Sequence, residues 1–120
     1  MIDSRRSVLV GDDDGPTREM FRAALRMAGF EVSTAADGLA ALRQIDQHVP
    51  DIVLLDLDLP GVNGIAVHEE LDARAHTHDV PVVIVTGTDW RSPFPVSATL
   101  QKPTSTHELV GAVRHAAARR

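Results

Sequence analysis

The sequence predicts an α/β protein: a doubly wound, five-stranded parallel sheet in the order 2-1-3-4-5, built by a single domain over residues 1–120. Short apolar runs of strand length alternate with longer segments whose apolar residues recur at helical spacing. The links between them are short, which favours a parallel sheet covered by helices on both faces. Hydrophobic residues make up 43% of the 120 residues, enough for one domain with one core.

Each strand is predicted from an apolar run bounded by turn-forming residues. The five runs are SVLVG (7–11), FEVSTA (30–35), DIVLLD (51–56), VPVVIVTG (80–87) and the weaker SATLQ (97–101). Five strands in a chain of this size suit a doubly wound sheet of this order.

Helices are predicted over 16–28, 37–48 and 65–75, and from Ser105 towards the end of the chain. Pro16 suits a first turn and Gly29 a C-terminal cap. Asp37 is an N-cap, and Ser105 with Glu108 forms a capping box. In the first helix the apolar stripe contains Met20, Ala24, Met27 and Ala28, with Phe21 and Leu25 beside them. Later helices carry Leu39, Leu42 and Ile45 on one side, then Val67 and Leu71 facing inward, then Leu109, Val110, Val113 and Ala117.

The composition excludes several classes of protein. The chain has no Cys, so disulfides and thiolate metal sites are excluded. The formal charge is −5 and the basic residues are scattered, so we expect no nucleic-acid binding by this chain. No apolar run reaches the length of a membrane span or of a signal-peptide core, and we therefore expect a cytoplasmic protein.

Polar residues gather where the predicted strands end. Asp12 and Asp13 follow the first strand, Asp56 ends the third, Thr86 ends the fourth and Lys102 follows the fifth. The carboxyl ends of parallel strands share one edge, and ligands bind there where the strand order reverses. Three carboxylates close together either have raised pKa values or require a cation, and oxygen ligands without His or Cys favour Mg²⁺ as that cation.

This set of residues indicates phosphoryl chemistry. Asp56 is the candidate nucleophile, because a carboxylate can attack phosphorus when a metal and a cation neutralise the phosphoryl oxygens. Lys102 supplies the cation, and Thr86 supplies a hydroxyl that can donate to a phosphoryl oxygen.

The motifs VLVGDDD, VLLDLDLPGVNG, VIVTG and LQKP resemble, in order and spacing, the flavodoxin-like receiver domain of two-component response regulators. The resemblance covers nearly the whole chain. It implies a phosphoacceptor that takes a phosphoryl group from a histidine kinase or a phosphotransfer protein onto Asp56. Such a domain catalyses its own phosphorylation and dephosphorylation without being a turnover enzyme, and signals to a downstream protein that the sequence does not name.

The resemblance also implies a role for each residue of the site. Its residues are Asp13 as a direct Mg²⁺ ligand, Asp12 as a ligand through water, Asp56 as phosphoacceptor and ligand, the backbone carbonyl of Asp58 as a further ligand, and Thr86 and Lys102 on the phosphoryl group. The family's Arg in the first helix falls on Arg18 only if Asp12 and Asp13 are the acidic pair. Asp14 is then an acid at the surface or at the start of the helix.

The chain departs from the family pattern between Thr86 and Lys102. This interval is short, and Pro93 and Pro95 exclude a regular helix. We predict that helix 4 of the family is shortened or replaced by a loop, and that partner binding changes through the face formed by strand 4, this loop and strand 5.

Aromatic residues are also unusual in this region. Thr99 stands three residues before the Lys, where the family often has an aromatic residue that moves on activation. Trp90 and Phe94 are expected to be partly buried anchors of the loop.

Two other functions fit parts of the pattern. Asp56-x-Asp58 matches the signature of haloacid-dehalogenase-like phosphatases, although in that family the acidic pair comes last in the chain rather than first. A degenerate receiver that binds partners without phosphate is the other alternative, and the complete site argues against it. The histidines are expected to be surface residues without a metal: His48, His68, His76, His78, His107 and His115.

Overall fold

The computed structural model describes residues 5–87 and 96–118, and it contains one five-stranded sheet. In chain order the elements are β1 (Ser7–Gly11), α1 (Gly15–Met27), β2 (Glu31–Ala35), α2 (Gly38–Gln47), β3 (Ile52–Asp56), α3 (Gly64–Ala73), β4 (Val82–Thr86), β5 (Ala98–Gln101) and α4 (Thr106–Ala118). All strand pairs are parallel, and the order is β2-β1-β3-β4-β5. The predicted sheet is confirmed.

Two apolar layers cover the sheet. The central strands β3 and β4 are buried along their whole length, as expected for parallel strands covered on both sides. Alternate residues of a strand point to opposite faces, so Val8 and Val10 pack beneath α1 and α4 while Leu9 packs beneath α2 and α3. The site at the end of the strands therefore rests on a fully covered sheet.

The buried faces of the first two helices agree only in part with the prediction. In α1 the core-facing pair is Phe21 and Leu25, whereas Met20 is 46% and Met27 is 89% exposed. In α2 the core contains Ala41 and Ile45, and Leu39 is half exposed. In α1 the buried residues follow the predicted Met20 and Ala24 by one position, whereas in α2 the predicted Ile45 is confirmed as a core residue.

The predicted caps are in place. The Asp37 side chain accepts a hydrogen bond from the N–H of Ala40 at 2.8 Å. The Ser105 hydroxyl accepts from the N–H of Glu108 at 3.0 Å. Gly29 has a φ of +99° just after the last turn of α1, a left-handed conformation that glycine adopts without strain.

The link between β4 and β5 is only partly described. Gly87, Val96 and Ser97 are not helical. The predictions of a loop in place of family helix 4, and of anchoring roles for Trp90 and Phe94, fall on 88–95 and lie outside the described residues. The fourth helix described, α4, follows β5 and packs against α1 and the sheet.

The helices are short. Among the residues that the structure describes, the longest helices are α1 and α4, with 13 residues each. Within the described ranges, no helix has the length and apolar character needed to cross a bilayer.

Candidate functional site

Strand register brings two acids together at one edge of the sheet. Gly11 of β1 pairs with Leu55 of β3, so Asp12, which follows β1, lies beside Asp56, the last residue of β3. The N–H of Asp12 also donates to the carbonyl of Ala35 at the end of β2, at 3.1 Å. Asp12 is 1% exposed and Asp56 is 6% exposed.

A third acid completes a cluster of carboxylates. One oxygen each of Asp12, Asp13 and Asp56 lies within 4.8 Å of the others, and in the part of the chain that is described no other group of three potential metal ligands is this close. Asp13 is exposed, so the cluster opens to solvent on one side. Such a set of hard oxygen donors fits Mg²⁺, which takes carboxylates and keeps several waters.

Lys102 reaches into this cluster from the end of β5. Its Nζ donates to Oδ2 of Asp56 at 2.9 Å and to Oδ2 of Asp12 at 3.1 Å. Its backbone N–H donates to the carbonyl of Thr86 at 2.7 Å, and the peptide bond to Pro103 is cis. Lys102 is the only lysine in the sequence. It therefore places the single ammonium side chain of the protein between two buried carboxylates.

The electrostatics of the site follow from burial and from this pairing. Burial raises the pKa of Asp12, and the neighbouring Asp56 carboxylate adds to the effect, although the hydrogen bonds from Asp14 and Lys102 oppose it. Burial alone would lower the pKa of Lys102, but its hydrogen bonds to Asp56 and Asp12 outweigh that effect and raise the pKa. The raised pKa of Lys102 favours its charged form, whereas the raised pKa of Asp12 means that ionising this carboxyl group costs free energy.

Two matching turns fix the orientation of the buried carboxylates. Oδ1 of Asp12 accepts from the N–H of Asp14 at 2.9 Å, and Oδ1 of Asp56 accepts from the N–H of Asp58 at 3.0 Å. Asp side chains commonly bond the backbone two residues on. In both acids this leaves Oδ2 for Lys102. These turns were not predicted from the sequence, although the spacing of Asp12 and Asp14, and of Asp56 and Asp58, is compatible with them.

The remaining predicted residues lie at the same edge. Thr86 ends β4 and is 1% exposed. Arg18 donates from Nη1 to the backbone carbonyl of Asp12 at 2.8 Å. Asp14 is the N-cap of α1 and accepts from the N–H of Thr17 at 3.0 Å.

The histidines lie away from this cluster. His76 and His78 are exposed, as are His48, His107 and His115. The prediction of a surface position for His68 was wrong: it is 6% exposed, because it lies on the face of α3 next to the core residue Val67.

The fold and the site together define a class: doubly wound α/β proteins with an acidic, lysine-bridged pocket at the carboxyl edge of the sheet. Residues 8–114 match the family described as the response regulator receiver domain. The chain belongs to this family of two-component signalling. Receiver domains are signalling modules rather than turnover enzymes, so the phosphatase alternative finds no support.

The relatives agree with this assignment. RegX3 of Mycobacterium tuberculosis, a sensory transduction protein, is 39% identical over 114 residues, which is 90% of this chain and 49% of RegX3. MtrA of Mycobacterium leprae, a DNA-binding response regulator, is 44% identical over 82 residues, which is 68% of this chain and 35% of MtrA. The chain thus spans about half or less of the length of these relatives.

Solved structures show the same architecture. A protein from Chloroflexus aurantiacus described as a response regulator superposes with a TM-score of 0.89 at 32% identity, covering 97% of this chain and all of the other. The chemotaxis response regulator CheY4 of Vibrio cholerae gives a TM-score of 0.87 at 25% identity, covering 94% of this chain and 99% of CheY4.

Proposed function

We propose that this chain is a phosphoacceptor that receives a phosphoryl group on Asp56 in an Mg²⁺-dependent reaction. The observation that carries the proposal is the position of Lys102, whose ammonium bridges Asp56 and Asp12 beside the open Asp13. A purely structural ion pair would not require a third acid that opens the cluster to solvent.

The metal would be held by residues of the same edge. Asp13 would bind Mg²⁺ directly and Asp12 through water, with a carboxylate oxygen of Asp56 and the backbone carbonyl of Asp58 completing the protein ligands. When bound, the ion would offset the negative charge of the carboxylates and of the incoming phosphoryl oxygens.

The proposed chemistry is the transfer of a phosphoryl group from a donor atom to a carboxylate oxygen of Asp56. A carboxylate oxygen of Asp56 forms a bond to phosphorus while the bond from phosphorus to the donor atom breaks, and the donor keeps that electron pair. Lys102 is already bonded to Oδ2 of Asp56 and would move its ammonium onto a phosphoryl oxygen. The donor would be a histidine kinase or a phosphotransfer protein, whose phosphohistidine supplies a good leaving group.

The signal would pass through the end of β4. The Thr86 hydroxyl would donate to a phosphoryl oxygen, drawing Thr86 and the residues after it towards Asp56 and shifting an existing equilibrium. Partner binding would change on the face formed by β4, the link to β5, and β5. Thr99 on that face is exposed and carries no ring, so the change would proceed without an aromatic residue at this position.

The downstream partner would be a protein. MtrA is named as a DNA-binding response regulator, but this chain corresponds to only 35% of it. With a formal charge of −5, the receiver domain itself is not expected to contact nucleic acid.

Intact-protein mass spectrometry tests the proposal. The parent chain, incubated with acetyl phosphate and Mg²⁺, should gain the mass of one phosphoryl group. When EDTA replaces Mg²⁺ in the same reaction, this gain in mass should be abolished. Asp56→Asn should not be labelled. Asp58→Asn is the matched control, because it removes the same charge two residues away and keeps the backbone carbonyl, so it should still be labelled.

Two results would contradict the proposal. Labelling of Asp56→Asn to the level of the parent would remove Asp56 as the acceptor. Steady hydrolysis of a phosphomonoester by the purified chain would indicate a phosphatase instead.

A further inference from the structure

The first residue of α2 touches the loop that follows the phosphoacceptor strand. This β3–α3 loop, residues 57–63, carries Asp58. A Cβ placed on Gly38 would lie 1.6 Å from the carbonyl oxygen of Val62 and 2.8 Å from its Cβ. Since the obstructing atoms include backbone, no side chain fits at Gly38 unless the loop moves.

Backbone conformation does not explain this glycine. Among the described residues, the glycines with positive φ are Gly29 and Gly61, and Gly38 is not one of them. Gly38 lies at the start of a regular helix, directly after the N-cap Asp37, where alanine would normally be at least as favourable. Glycine is therefore required at this position because a side chain would clash with Val62.

A second glycine, Gly64, allows close packing at the other end of the same loop. A Cβ on Gly64 would lie 2.5 Å from the carbonyl oxygen of Asp56 and 3.0 Å from Cα of Leu57. The N–H of Gly64 donates to the carbonyl of Leu57 at 3.0 Å. The end of the loop is thus packed tightly against its own beginning.

Displacement at Val62 must consequently pass into the middle of the loop. The N–H of Gly38 donates to the carbonyl of Pro60 at a long 3.4 Å, so this bond would be lost early. Asp58 lies between Pro60 and the phosphoacceptor, and its N–H bonds to Oδ1 of Asp56. We expect a displacement of the loop by α2 to reach Asp58, whose N–H holds the Asp56 carboxylate.

We propose that Gly38 is a positioning residue for the metal site: its lack of a side chain lets α2 brace the loop at Val62 and so fixes the backbone carbonyl of Asp58 beside Asp56. This inference rests on the proposed function, because it assigns the Asp58 carbonyl to Mg²⁺. If Mg²⁺ affinity depends on Gly38, then a residue of α2 without a polar side chain contributes to a site whose proposed ligands follow β1 and β3.

Mg²⁺ titration by calorimetry tests the inference, with the metal alone as probe. Gly38→Ala should weaken Mg²⁺ binding about tenfold, the lower end of what loss of outer-shell support costs a metal site. Gly111→Ala is the matched control, because Gly111 is an exposed residue within α4 whose Cβ would meet nothing within 4 Å. It should leave Mg²⁺ affinity unchanged.

The outcomes separate the inference from the proposed function. If the parent chain does not bind Mg²⁺, the proposed function fails. If the parent binds Mg²⁺ and a folded Gly38→Ala binds it equally well, Gly38 has only a structural role and the inference is overturned while the function stands.

A second variant decides the case in which Gly38→Ala does not fold. Val62→Gly removes the Val62 Cβ from the contact, adds no atoms, and frees the backbone that carries the carbonyl oxygen facing Gly38, so the loop is no longer held against α2. It should weaken Mg²⁺ binding severalfold in a chain that still melts cooperatively, and unchanged affinity would overturn the inference.

Discussion

Replacing Lys102 with methionine removes the ammonium between the two buried acids and keeps most of the alkyl stem. A hydrogen bond to a charged partner contributes about 1.5–3 kcal/mol, and Lys102 makes two. Ordering a lysine side chain costs up to about 2 kcal/mol, and solvent screens a group that is 29% exposed. We expect Lys102→Met to lower the free energy of unfolding by about 2 kcal/mol without Mg²⁺.

Arg74→Met provides a matched control. Arg74 also pairs with two carboxylates, those of Asp46 and Glu70, and its side chain is 30% exposed. Its partners are 56% and 52% exposed, whereas the side chains of Asp12 and Asp56 are 1% and 7% exposed. Solvent screens such surface pairs, so Arg74→Met should lower the free energy of unfolding clearly less than Lys102→Met does.

Urea unfolding in EDTA and in excess Mg²⁺ measures both effects. For a 120-residue domain, a loss of about 2 kcal/mol corresponds to a fall in Tm of about 8 °C. Mg²⁺ should stabilise Lys102→Met more than the parent, because the ion no longer shares the carboxylates with an ammonium. Equal losses for Lys102→Met and Arg74→Met, or a smaller Mg²⁺ effect in Lys102→Met than in the parent, would refute the reasoning.

Three further predictions concern the site and the core. Burial raises the pKa of Asp12, so Asp12→Asn should raise the free energy of unfolding at pH 7 in EDTA, as measured by urea unfolding. The same variant should weaken Mg²⁺ binding, as measured by calorimetry. A variant less stable than the parent in EDTA would contradict the argument. The pKa of Lys102 is raised on folding, so its contribution to stability is complete below the unfolded value of about 10.4 and is lost as the pH rises through the folded value. The stability gap between the parent and Lys102→Met should therefore narrow in alkaline urea titrations, and a constant gap would exclude this linkage. Ile45→Ala, at a fully buried position of α2, should cost about 2–5 kcal/mol in urea without changing the Mg²⁺ dissociation constant of the folded chain.

Some features of this protein can be predicted from sequence because they depend on local patterns. The central strands are continuous apolar runs, and parallel strands bring their ends to one edge, so Asp12, Asp56 and Lys102 could be placed together without coordinates. The helix caps could also be predicted, since Asp37 and Ser105 accept hydrogen bonds from backbone N–H groups only three residues further along the chain.

Other features depend on contacts between distant segments. The apolar residues of α1 extend round more than one face, and only the sheet beneath it selects Phe21 and Leu25 over Met20 and Met27. The crowding of Gly38 against Val62 joins residues 24 positions apart through backbone atoms, which leave no mark in the pattern of side chains.

The solitary lysine has a practical consequence for handling this protein. Amine-directed reagents, such as succinimidyl dyes, biotin esters or carbodiimide-activated sensor chips, have only the α-amino group and Lys102 to attack. Conjugation at Lys102 would place the tag at the proposed phosphoacceptor site, and an immobilised sample would then fail to accept a phosphoryl group in the test proposed above. Tags for interaction studies therefore belong on an introduced cysteine, for which a chain without native cysteines is well suited.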